Sequence, residues 1–397
     1  MPATTPAKLC VAALFALLLF SGCGGESLLD AFYRQPAAGE DMPEGVPGAP
    51  NTALSGRSPY DKRTAVVVST AADIYASADN TSKRLTQVLF DRPVRILEAS
   101  GQWIRVDTGR GAEGWMRAHN ADSDWTCIDW RRYAGRIVVT SKNKQIYSSP
   151  RNGIVVRDVS MGTELFVISK SENVYEVALP GNLTGWLSEN GTFQLDVREA
   201  IKETTAAIFA QSCEKFRGTS YLQGGVSYQG IDGAGLLYAS AKVNGVLLPG
   251  DLDGQFMMGV GVGLEEISVG DVLFFSSAAT SAYADAIAAG AAVGADAGGS
   301  GGDAGGLGAG EAGAGESASA DSNAGADADA TPGGGDPDGI DPDGIDPDVE
   351  LYDAGVYVGD GRFIHASQHA GKVMYEDLGA DPYYQQRLYA IRRYFRQ

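Results

Sequence analysis

The 397-residue sequence predicts an α+β protein: two small all-β barrels followed by a mixed α+β domain that carries a long disordered insertion. Three observations lead there. Runs such as "TAVVVST", "RPVRILEA" and "ELFVISK" alternate apolar and polar residues and are punctuated by Gly and Pro, the pattern of short antiparallel strands. Two passages of the chain align with each other. After Asp196 the apolar period lengthens from two to about 3.6.

The chain begins with a processing signal at 1–22. Lys8 supplies the positive end, and "CVAALFALLLF" is an apolar run too short to span a bilayer comfortably. Small residues Ser21 and Gly22 precede Cys23, which resembles the lipobox of bacterial lipoproteins. That resemblance implies acylation of the Cys23 thiol and attachment to a membrane by lipid, with no spanning helix. An ordinary cleaved secretory signal is the alternative, and both readings export the protein. Residues 23–62, rich in Pro, Gly and small polar side chains, read as a flexible tether.

The repeat follows. "WIRVDTGRGAEGW" from Trp103 to Trp115 lies over "VYEVALPGNLTGW" from Val174 to Trp186 without a gap, and "DIYAS" lies over "QIYSS". An early Ile-Tyr, a central strand and a closing Gly-Trp resemble the bacterial SH3-like domain of secreted wall proteins, over 63–120 and again over 135–196. The resemblance implies binding of wall peptide or glycan, or packing against a neighbouring domain. Trp103, Trp115 and Trp186 read as core or strand-capping residues. Tyr75 and Tyr147 stand where a loop begins, which makes them candidates for ligand contact.

In "VREAIKETTAAIFAQSCEKF", Ile201, Ile208, Phe209, Cys213 and Phe216 share one helical face, so a helix is expected along the stretch with Cys213 as a small core residue. Cys127 and Cys213 are the cysteines left once Cys10 and Cys23 are set aside. Two separate buried thiols are the default, and one disulfide is the alternative.

From Gly218 onward, "GTSYLQGGVSYQGIDGAGLLYASAKVNGVLLPGDLDGQF" resembles the NlpC family of papain-like cell-wall peptidases. Gly218, Tyr221, Gly224, Gly225, Gly230, Ile231, Asp232, Gly235, Leu236, Leu248, Pro249 and Gln255 fit that family's pattern. "ISVGDVLFF" and "YDAGVYVGDGRFIHAS" fit its later strands, so the domain is placed at 197–397. The family's thiolate sits at a helix N-terminus, where the dipole and an imidazole lower its pKa, and a third polar residue orients the imidazole. By alignment Gly233 occupies the nucleophile position, Asp353 the base position and His365 the orienting position. The resemblance therefore implies a site without catalytic residues, its nucleophile position left empty. Tyr221, Asp232, Asp353 and His365 remain as ligand-binding candidates, and Asp353 and His365 stand where they could pair across adjacent strands. A metal held by Asp232, Asp353 and His365 is the less economical reading, because Asp232 belongs to the elbow's structure. No metal and no cofactor is expected.

The formal charge of −19 is concentrated. Residues 278–350 hold 15 acidic residues and no Lys or Arg, and their Ala, Gly, Ser and Asp composition predicts disorder. "DPDGIDPDGIDPDVE" fails the twelve-residue calcium-loop rule and reads as a solvated acidic spacer. Without a basic patch, nothing points to nucleic acid.

Function is thus expected to be that of an exported lipoprotein with an inactive NlpC-type domain that binds or scaffolds peptidoglycan stem peptides. Two alternatives stand beside it. One is an active cysteine endopeptidase cutting the D-glutamyl to diamino-acid bond; the other is a structural protein that binds an unknown protein partner and keeps only a vestigial groove.

Overall fold

A computed structural model describes residues 60–279, Tyr283 and 349–397. The signal, Cys23, most of the tether and almost all of the 278–350 insertion lie outside the described residues.

The first barrel contains β1 (Thr64–Val67), β2 (Ala71–Tyr75), β3 (Arg84–Leu89), β4 (Pro93–Ser100), β5 (Trp103–Asp107), β6 (Glu113–Arg117) and β7 (Ala121–Asp122). The second contains β8 (Gly135–Val139), β9 (Asn143–Tyr147), β10 (Val155–Ser160), β11 (Glu164–Ser171), β12 (Val174–Leu179), β13 (Leu183–Ser188) and β14 (Thr192–Asp196). Their sheets run β3-β2-β6-β5-β4-β1-β7 and β10-β9-β13-β12-β11-β8-β14, one order used twice. The repeated Gly-Trp has a steric cause. A β-carbon on Gly114 would lie 2.6 Å from Ile74 Cγ2, and one on Gly185 would collide with Ile146, so only glycine lets the closing strand cross the Ile-Tyr strand.

The barrels are welded together. Phe90, from the first, joins the core of the second. Residues 125–133 form short helical turns that pack Cys127 and Ile128 against Val66 and Ala178, with Tyr133 stacked on Phe166 at 5.3 Å. Cys127 donates its thiol to buried Asp91 at 3.2 Å, and Cys213 is buried elsewhere, so both cysteines are free.

The third unit comprises α1 (Ala206–Glu214), β15 (Val226–Ser227), β16 (Gly230–Ile231), α2 (Gly233–Val243), α3 (Leu252–Phe256) and a six-stranded antiparallel sheet. The sheet is built from β17 (Val260–Gly261), β18 (Val272–Ser276), β19 (Leu351–Gly359), β20 (Arg362–Ser367), β21 (Lys372–Asp377) and β22 (Leu388–Arg393), in the order β17-β22-β18-β19-β20-β21, and α4 (Pro382–Gln385) precedes β22. Every residue of α2 is buried, and the helix packs on β19 and β20.

The first helix is shorter than its apolar period predicts. It begins only at Ala206, and Ile208 is exposed, whereas Ile201 packs on the core from a non-helical segment. Thr204 and Thr205 explain the late start. Thr204 is tied to Asn244 through both its backbone and its hydroxyl, and β-branched residues are poor helix formers.

Candidate functional site

The elbow is set by Asp232. Its side chain caps α2 by accepting from Gly235 N at 2.8 Å, and its other oxygen accepts from Gly224 N at 2.6 Å. Burial pushes this carboxyl up to about 6; the two backbone donors oppose that shift, and the negative charge of Asp353 adds to it. Tyr221, half-buried alongside, has its hydroxyl pushed up to about 12 by burial and by the charges of Asp232 and Asp353.

Asp353 lies on β19, and His365 lies on β20 in register with Gly355. His365 Nδ1 is 2.7 Å from Asp353 Oδ2, with the imidazole fully buried and the Asp353 side chain 8% exposed. A carboxylate only accepts, so Nδ1 carries the proton of that bond. In the neutral ring this leaves Nε2 to accept from the Tyr384 hydroxyl at 3.4 Å. Tyr384 had no sequence signal of its own; it is positioned by α4, whose N-cap Asp381 accepts from Tyr383 N.

Little free space remains beside Gly233. A β-carbon built there would lie 2.9 Å from Asp353 Oδ1, 3.1 Å from Ala354 N and 3.2 Å from Ala354 O. The Asp353 carboxylate faces Gly233, and its Oδ1 accepts from Ala354 N at 2.8 Å. It rests against the first turn of α2, where the helix dipole favours an anion. The Asp353 carboxylate therefore crowds the β-carbon position of Gly233. Of the two described thiols, Cys213 is buried in α1 with its pKa pushed up to about 12 by burial, and Cys127 donates to Asp91.

The structure thus brings Gly233, Asp232, Tyr221, Asp353 and His365 together. Tyr75 is not the exposed loop residue that its position suggested. It is 8% exposed, edge-on to Trp103 at 5.8 Å, and its hydroxyl is 3.0 Å from Asp73 Oδ2. Tyr147, 36% exposed, lies on the second barrel, apart from this group.

The barrels reach the elbow through residues that the sequence reading passed over. Arg84 donates to Gln223 O at 3.2 Å, and Gln87 Oε1 accepts from Val226 N at 3.1 Å. The Arg110 guanidinium stacks 3.3 Å over the Tyr238 ring of α2. Glu164 gathers Arg92, Arg136 and Lys242 at 3.2, 2.9 and 2.8 Å, joining all three units at one carboxylate. A buried lysine within "GLLYASAKVNGVLL" was the one available hint of this hub.

A helix-capped elbow facing a His-paired strand, preceded by barrels that touch it, has the fold of a bacterial SH3 plus NlpC/P60 arrangement. A bacterial SH3 domain model matches residues 70–122. The crystal structure of an NlpC/P60 family protein from Bacillus cereus ATCC 10987 superposes with a TM-score of 0.61 at 19% identity, covering 84% of this chain and 99% of that one. In sequence, the chain is similar to the gamma-D-glutamyl-L-lysine dipeptidyl-peptidase of that Bacillus cereus strain, 28% identical over 206 residues, or 50% of this chain and 61% of the relative. It is also similar to the enzyme of the same name from Bacillus subtilis strain 168, 29% identical over 200 residues, or 48% of this chain and 64% of the relative. The chain spans less than two thirds of the length of either curated relative.

Proposed function

We propose that the chain is an exported, wall-associated lipoprotein, anchored through lipid on Cys23, whose papain-like domain binds peptidoglycan stem peptides without cleaving them. The observation that carries this reading is the 2.9 Å approach of Asp353 Oδ1 to the β-carbon position of Gly233. A peptidase of this architecture needs a thiolate and an imidazole at those two places, and a glycine closed over by a carboxylate provides neither. The names of the two Bacillus relatives supply the ligand class, a peptide containing a γ-D-glutamyl-L-lysine linkage. Tyr221, Asp232, Asp353 and His365 are the groove residues offered to it, since binding and transition-state chemistry are separable. The reading calls for no cofactor.

The test is incubation of the lipid-free chain with purified peptidoglycan, followed by mass spectrometry of released stem peptides and by co-sedimentation. Retention without new fragments is the expected result. Fragments released by the unaltered chain would overturn it, and absence of both fragments and retention would leave the partner-binding role in its place. The double variant Gly233→Cys with Asp353→His is expected to stay inactive unless β19 moves, because Ala354 N and O would still press on the new side chain at 3.1 and 3.2 Å.

A further inference from the structure

The polypeptide just before the elbow is pinned to the first barrel at two points. Arg84 Nη1 donates to Gln223 O at 3.2 Å, and Gln87 Oε1 accepts from Val226 N at 3.1 Å. Both side chains lean on one carboxylate. Asp73 Oδ1 lies 2.7 Å from Arg84 Nε and accepts from Gln87 Nε2 at 2.9 Å, while the Tyr75 hydroxyl holds Oδ2 at 3.0 Å. A bulge spaces the two arms: Tyr75 pairs with Arg84 and Ile74 with Thr86, so Leu85 is left over between them.

Gly224 stands between the two pins. At φ 71° it comes so near β3 that a β-carbon on it would lie 3.1 Å from Arg84 O and 3.3 Å from the Leu85 carbonyl carbon. Its amide donates to Asp232 Oδ2 at 2.6 Å, and the other Asp232 oxygen accepts from Gly235 N at 2.8 Å. The Asp232 carboxyl is thereby poised. Burial and the charge of Asp353 on β19 push it up, the two amides pull it down, and the balance falls at about 6. Tyr221, the other titratable group alongside, feels the charges of both carboxylates.

The second barrel shows that the clamp is no general property of the repeat. There Tyr147 pairs with Val155, Ile146 with Arg157 and Gln145 with Asp158, which leaves Val156 as the bulge. Register therefore sets Gln145 against Asp73, Val155 against Arg84 and Asp158 against Gln87. The central carboxylate and both arms are replaced.

We propose that Asp73, Arg84 and Gln87 are positioning residues for the cleft: the first barrel fixes Gly224 so that its amide keeps the Asp232 carboxyl in its charged form. This deepens the peptide-binding reading and rests on it only for the ligand. A charged Asp232 beside Asp353 favours a ligand with a cationic group, which a lysine-bearing peptide of the class proposed above supplies.

The test follows the carboxyl carbon-13 signal of Asp232 through a pH titration of the lipid-free full chain, with Asp232→Asn to assign it. A midpoint at about 6 is expected in the unaltered chain. It should rise by roughly one pH unit in Gln87→Leu, which removes the acceptor of Val226 N and loosens Gly224. Asp158→Asn, at the equivalent position of the second barrel, should leave it unmoved. Thermal unfolding shows whether each variant folds. Asp73→Asn, which keeps the shape of the anchor but not its charge, gives a second reading and should raise the midpoint less. A loss of packing alone would lower the unfolding temperature without moving this titration. The lysine-bearing peptide is then titrated: its affinity for the unaltered chain should fall as Asp232 protonates, and in Gln87→Leu the fall should begin at higher pH. A midpoint that stays put in folded Gln87→Leu and Asp73→Asn chains, or that moves equally in Asp158→Asn, overturns the proposal. A peptide that binds the unaltered chain at no pH overturns the peptide-binding reading instead, and the Asp232 titration still decides the clamp.

Discussion

The two barrels begin from one design and end with different duties. The first turns its tyrosine edge inward: Tyr75 is buried, Arg84 grips Gln223, and the elbow segment lies along β3. The second turns a different side inward. Its β10–β11 turn presents the Gly162 carbonyl and the Glu164 carboxylate to Lys242 of α2, at 2.6 and 2.8 Å, while its tyrosine edge stays exposed. A repeated topology thus fixes the shape of the unit but not its docking face. The face is chosen by a few side chains: arginine against valine at one register position, and a glutamate that three cations surround.

The largest effect should come from removing that glutamate. Burial alone would push the Glu164 carboxyl up, but Lys242, Arg92 and Arg136 hold it at about 2. A depressed carboxyl contributes stability that is present above its unfolded value near 4.5 and is lost as pH falls toward 2. At neutral pH the contribution is on the order of 3 kcal/mol, and a single lost partner in a buried cluster costs a similar amount. Glu164→Gln should therefore lower the urea midpoint markedly at pH 7 and flatten the fall in stability between pH 4.5 and pH 3. An unchanged midpoint would mean that the second barrel docks by some other contact.

A smaller but more pointed test compares the equivalent tyrosines. Tyr75→Ala removes a buried ring that sits edge-on to Trp103 and should cost about 2 to 3 kcal/mol. Tyr147→Ala removes a ring exposed on the open edge and should cost under about 1 kcal/mol. Equal losses in chemical denaturation would show that the two edges are alike in energy, whatever their difference in exposure.

The same contrast explains how far the sequence could be read. Repeat, strand alternation and elbow motif depend on local chemistry, such as a glycine where β6 crosses β2 or an aspartate capping α2, and these were legible. So was the identity of the residues at the elbow and on β19, Gly233 and Asp353, since residue identity needs no structure. The closure of the Gly233 position was not legible, because it depends on how closely β19 approaches α2 in three dimensions. Tyr75 and Tyr147 occupy one position of the repeat, and no local feature tells which edge a neighbouring domain will cover. The first helix misled for a related reason: an apolar period of 3.6 continued through Thr204, whose side chain is held instead by Asn244, 40 residues away in the chain.

The smallest predicted difference is also the cleanest, because it is made between residues of equal exposure. Leu85 and Val156 are the two bulge residues, 37% and 38% exposed, so solvent accessibility alone predicts the same tolerance to charge. Their surroundings differ: Gly224 presses on the Leu85 backbone, whereas nothing among the described residues lies over Val156 as a further strand. Leu85→Lys should cost about 1 kcal/mol by loosening the elbow segment from β3, while Val156→Lys should stay within about 0.5 kcal/mol of the unaltered chain. Hydrogen exchange at Val226, whose amide is bonded to Gln87, gives the local readout. Faster exchange there in the Leu85 variant and not in the Val156 variant is expected, and the reverse would assign the elbow's support to the second barrel.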